Sequence, residues 1–454
     1  MARVALEDWL ADHPDVRHVE YVVTDPNGVA RGKWAPVGSL AKAFADGPEG
    51  GVNFPLSLHA LDVWGTEVPE TGLHISSGDR DGFYRAVPET LSIVPGRADT
   101  AQVLLETFEP GGAPFSGCAR QVLRAAVERL AAQGLHATCA FELEFHLLQT
   151  GEPGSVPQIA DPHALDGSQR MYGLKALAER HPVLDLVREA GAAAGLPIDT
   201  IVKEAAPGQY EVNLTHRTPA EGGALRVADD AVLLRRIVQH AAAAHGLRAT
   251  FMAKPFADEA GNGAHVHVSL ADGARRNVFA GEGGEGRLRH AAAGLVSTLS
   301  DTALVCCNTM NGFRRMAPGS YAPTRANWGF NNRSVAVRVP ASGEGARRLE
   351  HRVAGADANP YLVLACVLSA MAEGIERGDE PPAPFEGNAY EPGEADPGPS
   401  LPASMADALT LFEASEFAAR ALGKTMHSNL AHLKRAEIRG FADDMSPLER
   451  ATYT

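Results

Sequence analysis

The sequence predicts an α+β protein with a small β-rich domain at residues 1–110 and a larger domain of strands and helices at residues 111–454. Three observations support this fold class. Strand patterns dominate the first region, strand and helix patterns alternate in the second, and a Pro- and Gly-rich stretch at residues 109–114 lies between them. A length of 454 residues is enough for two or three domains with a sizeable core.

The elements follow from local patterns along the chain. Residues 19–24 and 29–34 are strand-like and flank an Asp-Pro-Asn-Gly turn at 25–28, which predicts a hairpin. Helical spacing of apolar residues begins at 121–133. Residues 378–403, rich in Pro, Gly and Glu, are predicted to form a loop or linker before a helical tail. Further strands are predicted at 140–148, 208–214, 265–270 and 334–340, and further helices at 229–245, 289–307 and 358–376.

The composition, 45% apolar and 21% charged residues, is that of a soluble globular protein. The absence of a bilayer-spanning apolar run and of a signal-peptide pattern predicts a cytoplasmic protein without membrane contact. Five cysteines without CxxC spacing indicate reduced thiols, and neither a disulfide framework nor a zinc site. The net charge of −15 argues against nucleic acid as a partner and is compatible with a cationic substrate.

Two glutamates interrupt the apolar strand at residues 140–148. Glu142 and Glu144 are two residues apart, so both side chains project from the same face of the strand into what should be interior. Ionised carboxylates side by side repel each other and lose hydration, and a bound cation would compensate for both effects. The alternative is one glutamate paired with an arginine and the other at a sheet edge.

Two further clusters carry metal-ligand residue types. Glu204 and Glu211 flank a Pro-Gly turn, which by itself is also typical of an ordinary loop with charged flanks. His265, His267 and Ser269 share one face of a predicted strand. No cysteine or third histidine accompanies them, so zinc is disfavoured, and a lone pair of strand histidines is often structural.

The last third of the chain is rich in arginine. Arg348, Glu350 and Arg352 alternate, so they share a face if the segment is extended; a solvated charged strand is the alternative. Guanidinium groups match the geometry of carboxylate and phosphate oxygens. Five glutamates and one histidine make an oxygen-dominated ligand set that suits Mg²⁺ or Mn²⁺ better than zinc or copper. The other arginines of this group are Arg314, Arg315, Arg333, Arg338 and Arg347.

These clusters, in this order, resemble the glutamine synthetase family from about residue 18 to the C-terminus. The stretches that carry the resemblance are residues 141–145, 207–211, 254–255, 263–269, 311–318, 332–334 and 357–362.

The resemblance assigns roles to individual residues. It implies Glu144, Glu204 and Glu211 as ligands of a first metal, and Glu142, His265 and Glu350 as ligands of a second. It implies Gly261 and Arg315 at the substrate glutamate, and Arg352 at the γ-carboxylate and transferred phosphoryl group. It places Arg333, Arg338 and Arg348 near the phosphates. His267 and Ser269 are implied on the nucleotide side. Arg315, Arg333, Arg352 and Tyr321 are the candidate catalytic residues.

The resemblance also implies a fold, an assembly and a reaction. The fold is a β-grasp-like N-terminal domain followed by a catalytic α/β domain with a curved antiparallel sheet. The assembly is a homododecamer of two rings, in which one subunit's N-terminal domain completes its neighbour's site. With ATP and Mg²⁺ or Mn²⁺, the γ-carboxylate of L-glutamate is phosphorylated and a nitrogen nucleophile then displaces phosphate.

The sequence departs from the ammonia-using pattern at the nitrogen site. Tyr321 stands where a Pro-Gly-x-Glu-Ala-Pro motif has its glutamate, and residues 53–59 lack the aspartate of an Asp-Gly-Ser-Ser motif. A less anionic, roomier site favours a primary amine, whose carbon chain can contribute about 0.8 kcal/mol per methylene. The pattern at residues 321–324 and 328–329 resembles the γ-glutamylpolyamine (putrescine) synthetase branch. The alternatives are glutamine synthetase using ammonia, a ligase for a small monoamine, and a non-catalytic homologue.

Two other departures bear on the site. Gly345 replaces a lysine at the nucleotide position, and Ala260 replaces an asparagine beside the glutamate-binding glycine.

A third feature is the acidic segment at residues 61–70, which follows the altered nitrogen-site stretch. It suggests a site for the distal ammonium of a diamine, with an acidic side chain beside Trp64. The alternative is a solvated acidic loop with a core tryptophan. Its acidic residues are Asp62, Glu67 and Glu70.

Overall fold

The structure, a computed structural model, describes residues 2–47, 50–151, 157–161, 171–391, 393 and 396–453. The helices in these residues are α1 (Ala2–Asp12), α2 (Leu40–Ala43), α3 (Ala119–Ala132), α4 (Leu174–Glu179), α5 (His181–Ala193), α6 (Gly223–Ala244), α7 (Gly284–Thr298), α8 (Ala303–Cys306), α9 (Met310–Arg315), α10 (Pro360–Arg377), α11 (Met405–Ala414), α12 (Glu416–Leu422), α13 (Lys424–Asp443) and α14 (Pro447–Tyr453). The strands are β1 (His18–Thr24), β2 (Ala30–Pro36), β3 (Val52–Pro55), β4 (Asp81–Ala86), β5 (Ser92–Val94), β6 (Arg97–Phe108), β7 (His136–Gln149), β8 (Ile198–Lys203), β9 (Gln209–Leu214), β10 (Leu247–Thr250), β11 (Ala264–Ala271), β12 (Trp328–Phe330), β13 (Val337–Val339) and β14 (Leu349–His351).

The N-terminal sheet has the strand order β2-β1-β6-β4-β3, with β5 also paired to β6. The predicted hairpin is present: β1 and β2 are antiparallel, and the Asp25 carboxylate accepts the backbone N–H of Val29 at 2.9 Å. Gly28 has a φ of +79°, a conformation that glycine adopts without a steric penalty. β1 lies parallel to β6, and apolar residues of these strands form a core of their own, which includes Tyr21 and Val103.

The second sheet has the order β12-β13-β14-β11-β7-β9-β8, and β10 pairs with β7. All of its pairs are antiparallel except β12 with β13. The central strand β7 places Phe141, Leu143 and Phe145 in the main core, which includes apolar residues of α3, α6 and α10. The glutamates between them therefore point to the opposite face. This mixed architecture with antiparallel-rich sheets confirms the predicted α+β fold class, while the domain boundary near residue 110 stays a prediction.

Two predicted elements differ from the structure. The helix predicted at 289–307 is divided into α7 and α8, because the hydroxyls of Thr298 and Thr302 each bond back to a carbonyl four residues earlier, at 2.9 Å, and such bonds bend helices. The strand predicted at 334–340 is only the three-residue β13.

The Pro- and Gly-rich segment at 378–403 contains no helix or strand in its described residues, as predicted for a loop. It is not a free linker, because the Phe385 backbone N–H donates to the Trp328 carbonyl at 2.7 Å and the Trp328 indole donates to the Pro382 carbonyl at 2.7 Å. All five cysteines are buried and free. In the part of the chain that the structure describes, no helix is long and apolar enough to cross a membrane.

Candidate active site

The register of four strands gathers the metal-ligand residue types on one face of the second sheet. Glu142 on β7 lies opposite His265 on β11, and Glu144 on β7 lies opposite Glu211 on β9. On the other side of β11, His267 is opposite Glu350 on β14. Directly opposite residues of paired strands point to the same face, so the ladder brings these side chains together. We call this surface the carboxylate face: Glu142, Glu144, Glu211, His265, His267 and Glu350.

One group of ligand atoms lies around His265. A carboxylate oxygen of Glu142, one of Glu350 and a ring nitrogen of His265 lie within 4.8 Å of one another. The His265 Nδ1 atom is 3.3 Å from Glu142 Oε2 and 3.8 Å from Glu350 Oε1, and His267 Nε2 is 2.9 Å from Glu142 Oε1. Glu142, His265 and Glu350 are the three residues predicted for the second metal.

A second group consists of Glu144, Glu211 and, again, His265, whose ligand atoms also lie within 4.8 Å. Two of the ligands predicted for the first metal are in it. Glu204, the third, is not part of either group in the described residues. It follows β8, where its backbone N–H donates to the Gln209 carbonyl at 3.0 Å.

The electrostatics of this face favour a bound cation. Burial, and then the charges of Glu144, Glu142 and Glu204, raise the pKa of Glu211 to about 9. Burial and the charge of Glu144 raise the pKa of Glu204 to about 7. A divalent ion would relieve this repulsion and keep both groups ionised at neutral pH. The donor set of carboxylates with one imidazole fits Mg²⁺ or Mn²⁺.

Glu350 is held ionised by arginine. Its carboxylate is fully buried and accepts from Arg338 Nη1 at 2.8 Å and from Arg352 Nη1. Burial raises the pKa of Glu350, but the charges of Arg352 and His265 outweigh it and hold the pKa at about 2. The Arg348 Nε–H donates to His267 Nδ1 at 3.1 Å, so the predicted phosphate arginines Arg338 and Arg348 and the predicted γ-carboxylate arginine Arg352 all border the carboxylate face.

Two other predicted nucleotide-side residues lie apart from this cluster. Arg333 is exposed in the connection between β12 and β13, and its charge still lowers the pKa of Glu204 against the effect of burial. Ser269 is half-buried on β11, two residues beyond His267 and opposite Thr138.

The predicted glutamate-binding residues are in contact. Arg315 at the end of α9 is buried, and its Nη1–H donates to the Val353 carbonyl at 2.9 Å. A Cβ atom at Gly261 would lie 3.0 Å from Arg315 Cγ, and one at Gly263 would lie 2.7 Å from Arg315 Nη2. At Gly261 a Cβ atom would also lie 2.3 Å from the Ala253 carbonyl oxygen, so this position needs glycine mainly because of the backbone, whereas Gly263 needs it to leave room for the Arg315 guanidinium.

Tyr321 borders an open cavity of about 550 Å³. Its backbone is in the left-handed region, with a φ of +62°, and its side chain is 59% exposed. Ala260 and Lys254 line the same cavity. Tyr321, a departure from the ammonia-using pattern, and Ala260, which replaces an asparagine beside the predicted glutamate-binding glycine, are thus brought together at one opening.

Sequence reasoning missed Tyr390. Within the described residues its hydroxyl is buried without a hydrogen-bond partner. Burial raises the pKa of Tyr390, while the charges of Arg352 and Arg315 lower it, so the ring lies within electrostatic range of both arginines. The loop is held there because the Ala389 backbone N–H donates to Ser334 Oγ at 2.9 Å. The only sequence signal was an aromatic residue in a polar loop.

The acidic segment at 61–70 has other partners within its own chain. Asp62 accepts the backbone N–H groups of Trp64 and Thr66 at 2.9 and 2.8 Å, which closes a turn. A carboxylate oxygen of Glu67 is 3.4 Å from His74 Nε2, and one of Glu70 is 3.3 Å from Arg439 Nη2. These contacts occupy all three carboxylates; Asp62 is buried, and only Glu67 and Glu70 fit the alternative of a solvated acidic loop. The core position expected for Trp64 in that alternative is wrong, since its ring is 53% exposed.

Comparisons with known proteins identify the family of this chain. Residues 116–453 match the family model for the glutamine synthetase catalytic domain. The gamma-glutamylputrescine synthetase of Escherichia coli K12 is 36% identical over 92% of this chain and 87% of its own length. The glutamate–isopropylamine ligase of a Pseudomonas species is 32% identical over 99% and 97%. The solved GmaS–ADP complex superposes with a TM-score of 0.85, at 29% identity and 99% coverage of each chain.

The chain belongs to the glutamine synthetase family. The predicted resemblance is confirmed, and the relatives named above include ligases that join glutamate to an amine other than ammonia.

Proposed function

We propose that this protein is an ATP-dependent ligase that joins the γ-carboxylate of L-glutamate to putrescine or another polyamine through γ-glutamyl phosphate. The observation that carries the proposal is the combination of two groups of metal-ligand residue types on the carboxylate face with Tyr321 at the opening of the cavity that Ala260 also lines. The names of two relatives, gamma-glutamylputrescine synthetase and glutamate–isopropylamine ligase, support an amine substrate.

The carboxylate face, together with Glu204 from the connection after β8, would hold two divalent cations, one at Glu144, Glu204 and Glu211 and one at Glu142, His265 and Glu350. Bound there, they supply charge neutralisation for the phosphates. Arg338 and Arg348 would add positive charge beside the nucleotide. They come from β13 and from the residue just before β14, so hydrogen-bonded strands hold them in place before ATP arrives.

Glutamate would bind with Arg315 and the Gly261 backbone on one side and Arg352 at its γ-carboxylate. Arg352 is already oriented by its ion pair with Glu350. A guanidinium held in this way can stabilise negative charge on the transferred phosphoryl group without reorganising. Positioning and electrostatics, and not a covalent intermediate with the protein, are therefore the contribution of these side chains to phosphoryl transfer.

The amine would enter by the cavity that Tyr321 and Ala260 line. We call this region, with the loop that carries Tyr390, the amine side. A tyrosine in place of a glutamate removes a charge that would attract ammonium and offers an aromatic surface for the carbon chain of an amine.

Phosphate release with glutamate, ATP and Mg²⁺ tests the proposal, with ammonium compared against putrescine, spermidine, ethylamine and ethanolamine. We expect the highest kcat/KM with a di- or polyamine. Ammonium as the best substrate would establish a glutamine synthetase, and a preference for ethylamine would establish a monoamine ligase. Absence of release with every nitrogen source would support a non-catalytic homologue.

We also propose a homododecamer in the cytoplasm, serving polyamine metabolism. Trp34 and Trp64 of the N-terminal region are 67% and 53% exposed, and large exposed aromatic side chains are typical of contact surfaces. Sedimentation showing a stable and active monomer would contradict the ring assembly.

A further inference from the structure

A buried polar network lies behind the carboxylate face and connects the two halves of the site. Its centre is Gln209, the first residue of β9. The Gln209 Nε2 atom donates to Glu144 Oε2 at 3.1 Å and to the Gly261 carbonyl at 3.0 Å. One side chain therefore holds both a residue proposed for the first metal and a residue proposed for glutamate.

The orientation of the Gln209 amide follows from its partners. Its Oε1 atom accepts the backbone N–H of Ala206 at 3.0 Å, so the oxygen must face that donor. The nitrogen is then the atom that faces a carboxylate and a carbonyl, both of which only accept. Two hydrogen bonds, from Gln209 and from the Gly263 backbone N–H at 2.8 Å, fall on Glu144 Oε2. Glu144 Oε1 is therefore the oxygen oriented toward a cation.

The network continues to two fully buried side chains, Asn262 and His146. Asn262 Oδ1 lies 3.3 Å from Gln209 Nε2 and 2.8 Å from His146 Nδ1, while Asn262 Nδ2 donates to the Met252 carbonyl at 2.9 Å. Because Asn262 presents its oxygen to His146, the imidazole must carry its proton on Nδ1.

We propose that Gln209, oriented by Asn262 and His146, is a positioning residue that couples metal binding at Glu144 to glutamate binding at Gly261. The inference rests on the proposed function, since it takes Glu144 as a metal ligand and Gly261 as a glutamate contact. The Gly261 carbonyl has two lone pairs, and Gln209 occupies one of them, so the other is left for the ammonium group of glutamate. A metal ion bound at Glu144 would fix this carboxylate. Through the hydrogen bond from Gln209, it would also fix the Gln209 amide and the Gly261 carbonyl that the amide aligns. Such coupling is reciprocal: each ligand tightens the other by the same factor.

The test is calorimetric titration of the full-length protein. Mn²⁺ is titrated in the absence and in the presence of glutamate, and glutamate is titrated in the absence and in the presence of Mn²⁺. Gln209→Leu keeps the length of the side chain and removes its hydrogen bonds. We expect Mn²⁺ binding to weaken by about 10- to 100-fold, the range typical of lost outer-sphere partners, and the factor by which Mn²⁺ tightens glutamate to fall to about 1.

Two further variants separate coupling from stability. His146→Phe removes only the distal donor and should give a smaller loss of coupling in the same direction, which keeps the inference testable if Gln209→Leu fails to fold. Tyr361→Phe is the matched control, because it removes a buried hydrogen bond of 2.7 Å to Asp229 that is remote from the carboxylate face. It should leave the coupling factor unchanged.

An unchanged coupling factor in Gln209→Leu and His146→Phe would overturn the inference, and so would an equal loss in Tyr361→Phe. The titrations need no turnover. A wild-type protein that shows the coupling but does not release phosphate with any amine tried would therefore refute the proposed function alone. A wild-type ligase whose variants keep the coupling would refute the inference alone.

Discussion

The carboxylate face and the amine side of the site are built in different ways. The carboxylate face stands on β7, β9, β11 and β14, whose ladder hydrogen bonds fix which side chains are neighbours. The amine side is made of connections: the segment around Ala260, the segment around Tyr321 and the loop with Tyr390. Strands hold a constellation more precisely than loops, and loops change more easily without loss of the fold.

This difference separates the reaction from its specificity. Glutamate activation needs fixed charges, and these lie on the rigid sheet. We propose that the choice of the nitrogen nucleophile depends on loop residues such as Tyr321, which is more than half exposed and has a left-handed backbone. The division predicts that changes on the sheet abolish the reaction, whereas changes in the loops redirect or weaken it.

The largest effect is expected on the carboxylate face. Glu142→Ala and Glu350→Ala each remove a proposed ligand of the second metal, so phosphate release should fall by about 1,000-fold or more. The two variants should differ in stability. Glu350 is fully buried between Arg338 and Arg352, and its loss leaves two guanidiniums unpaired, at a cost of about 3–5 kcal/mol, whereas Glu142 is partly exposed.

Phosphate-release assays and urea unfolding measure these two quantities, and Glu416→Ala, on an exposed helix position, is the control. Near-normal turnover in both variants would show that the ligand assignment is wrong.

A second prediction concerns pH and the metal. The folded-state pKa values of Glu211 and Glu204, about 9 and about 7, lie above the ordinary glutamate value. The folded protein therefore binds more protons than the unfolded chain at neutral pH, and its stability falls as the pH rises. Buried histidines such as His146 have depressed pKa values, so they change the stability only below about pH 6.5. We therefore expect the stability to fall from about pH 7 to about pH 9.

Thermal melts of the metal-free protein should show a midpoint that decreases over this interval. Saturating Mg²⁺, or the substitution Glu211→Gln, should flatten the profile. A midpoint that does not depend on pH in the metal-free protein would contradict the proposed repulsion on this face.

The same difference explains what could be predicted from the sequence. Alternation along a strand places Glu142 and Glu144 on one face without knowledge of the fold, and the resemblance to a family supplied their partners. The structure then showed why Gly261 and Gly263 must be glycines: the Ala253 carbonyl lies against the first and the Arg315 guanidinium against the second.

Loop positions gave no comparable signal. Tyr390 lies within a Pro- and Gly-rich stretch whose composition indicates only a loop, and its neighbours Arg352 and Arg315 are far from it in sequence. The division of α7 from α8 also depended on hydroxyl-to-carbonyl bonds that periodicity does not register.

Tyr390→Phe tests the amine side at its buried edge. The variant removes a hydroxyl that has no partner among the described residues, so stability should stay the same or rise slightly. Because the hydroxyl lies near the arginines proposed for the carboxylate, we expect it to bond a charged substrate group. Its loss should lower kcat/KM by about 10- to 100-fold. Unchanged kinetics with every substrate would remove Tyr390 from the site.

Tyr321→Glu should redirect the reaction. The substitution restores the acidic group of the ammonia-using pattern, which attracts ammonium and no longer offers an aromatic surface. Putrescine is also a cation, so the new charge acts on both substrates, and the ratio changes through the aromatic contact that only the carbon chain of putrescine loses. A contact of about 1 kcal/mol at this exposed position would raise the ratio of kcat/KM for ammonium to that for putrescine about fivefold. Tyr321→Phe is the control, since it keeps the ring and should preserve the ratio. A fall in both activities by the same factor would mean that Tyr321 only supports the loop.

The smallest effect is expected in the acidic segment at residues 61–70. Asp62 closes a turn by accepting two backbone N–H groups, and Glu67 lies against His74, so neither is arranged as an open site for an ammonium group. Asp62→Asn can keep the turn, because an asparagine oxygen accepts the same bonds. We therefore expect Asp62→Asn and Glu67→Gln to leave the ratio of the KM values for putrescine and ethylamine within about twofold of the wild-type ratio, since both carboxylates already have partners within the N-terminal region. A selective rise in the KM for putrescine would reverse this conclusion and extend the amine side to the N-terminal region.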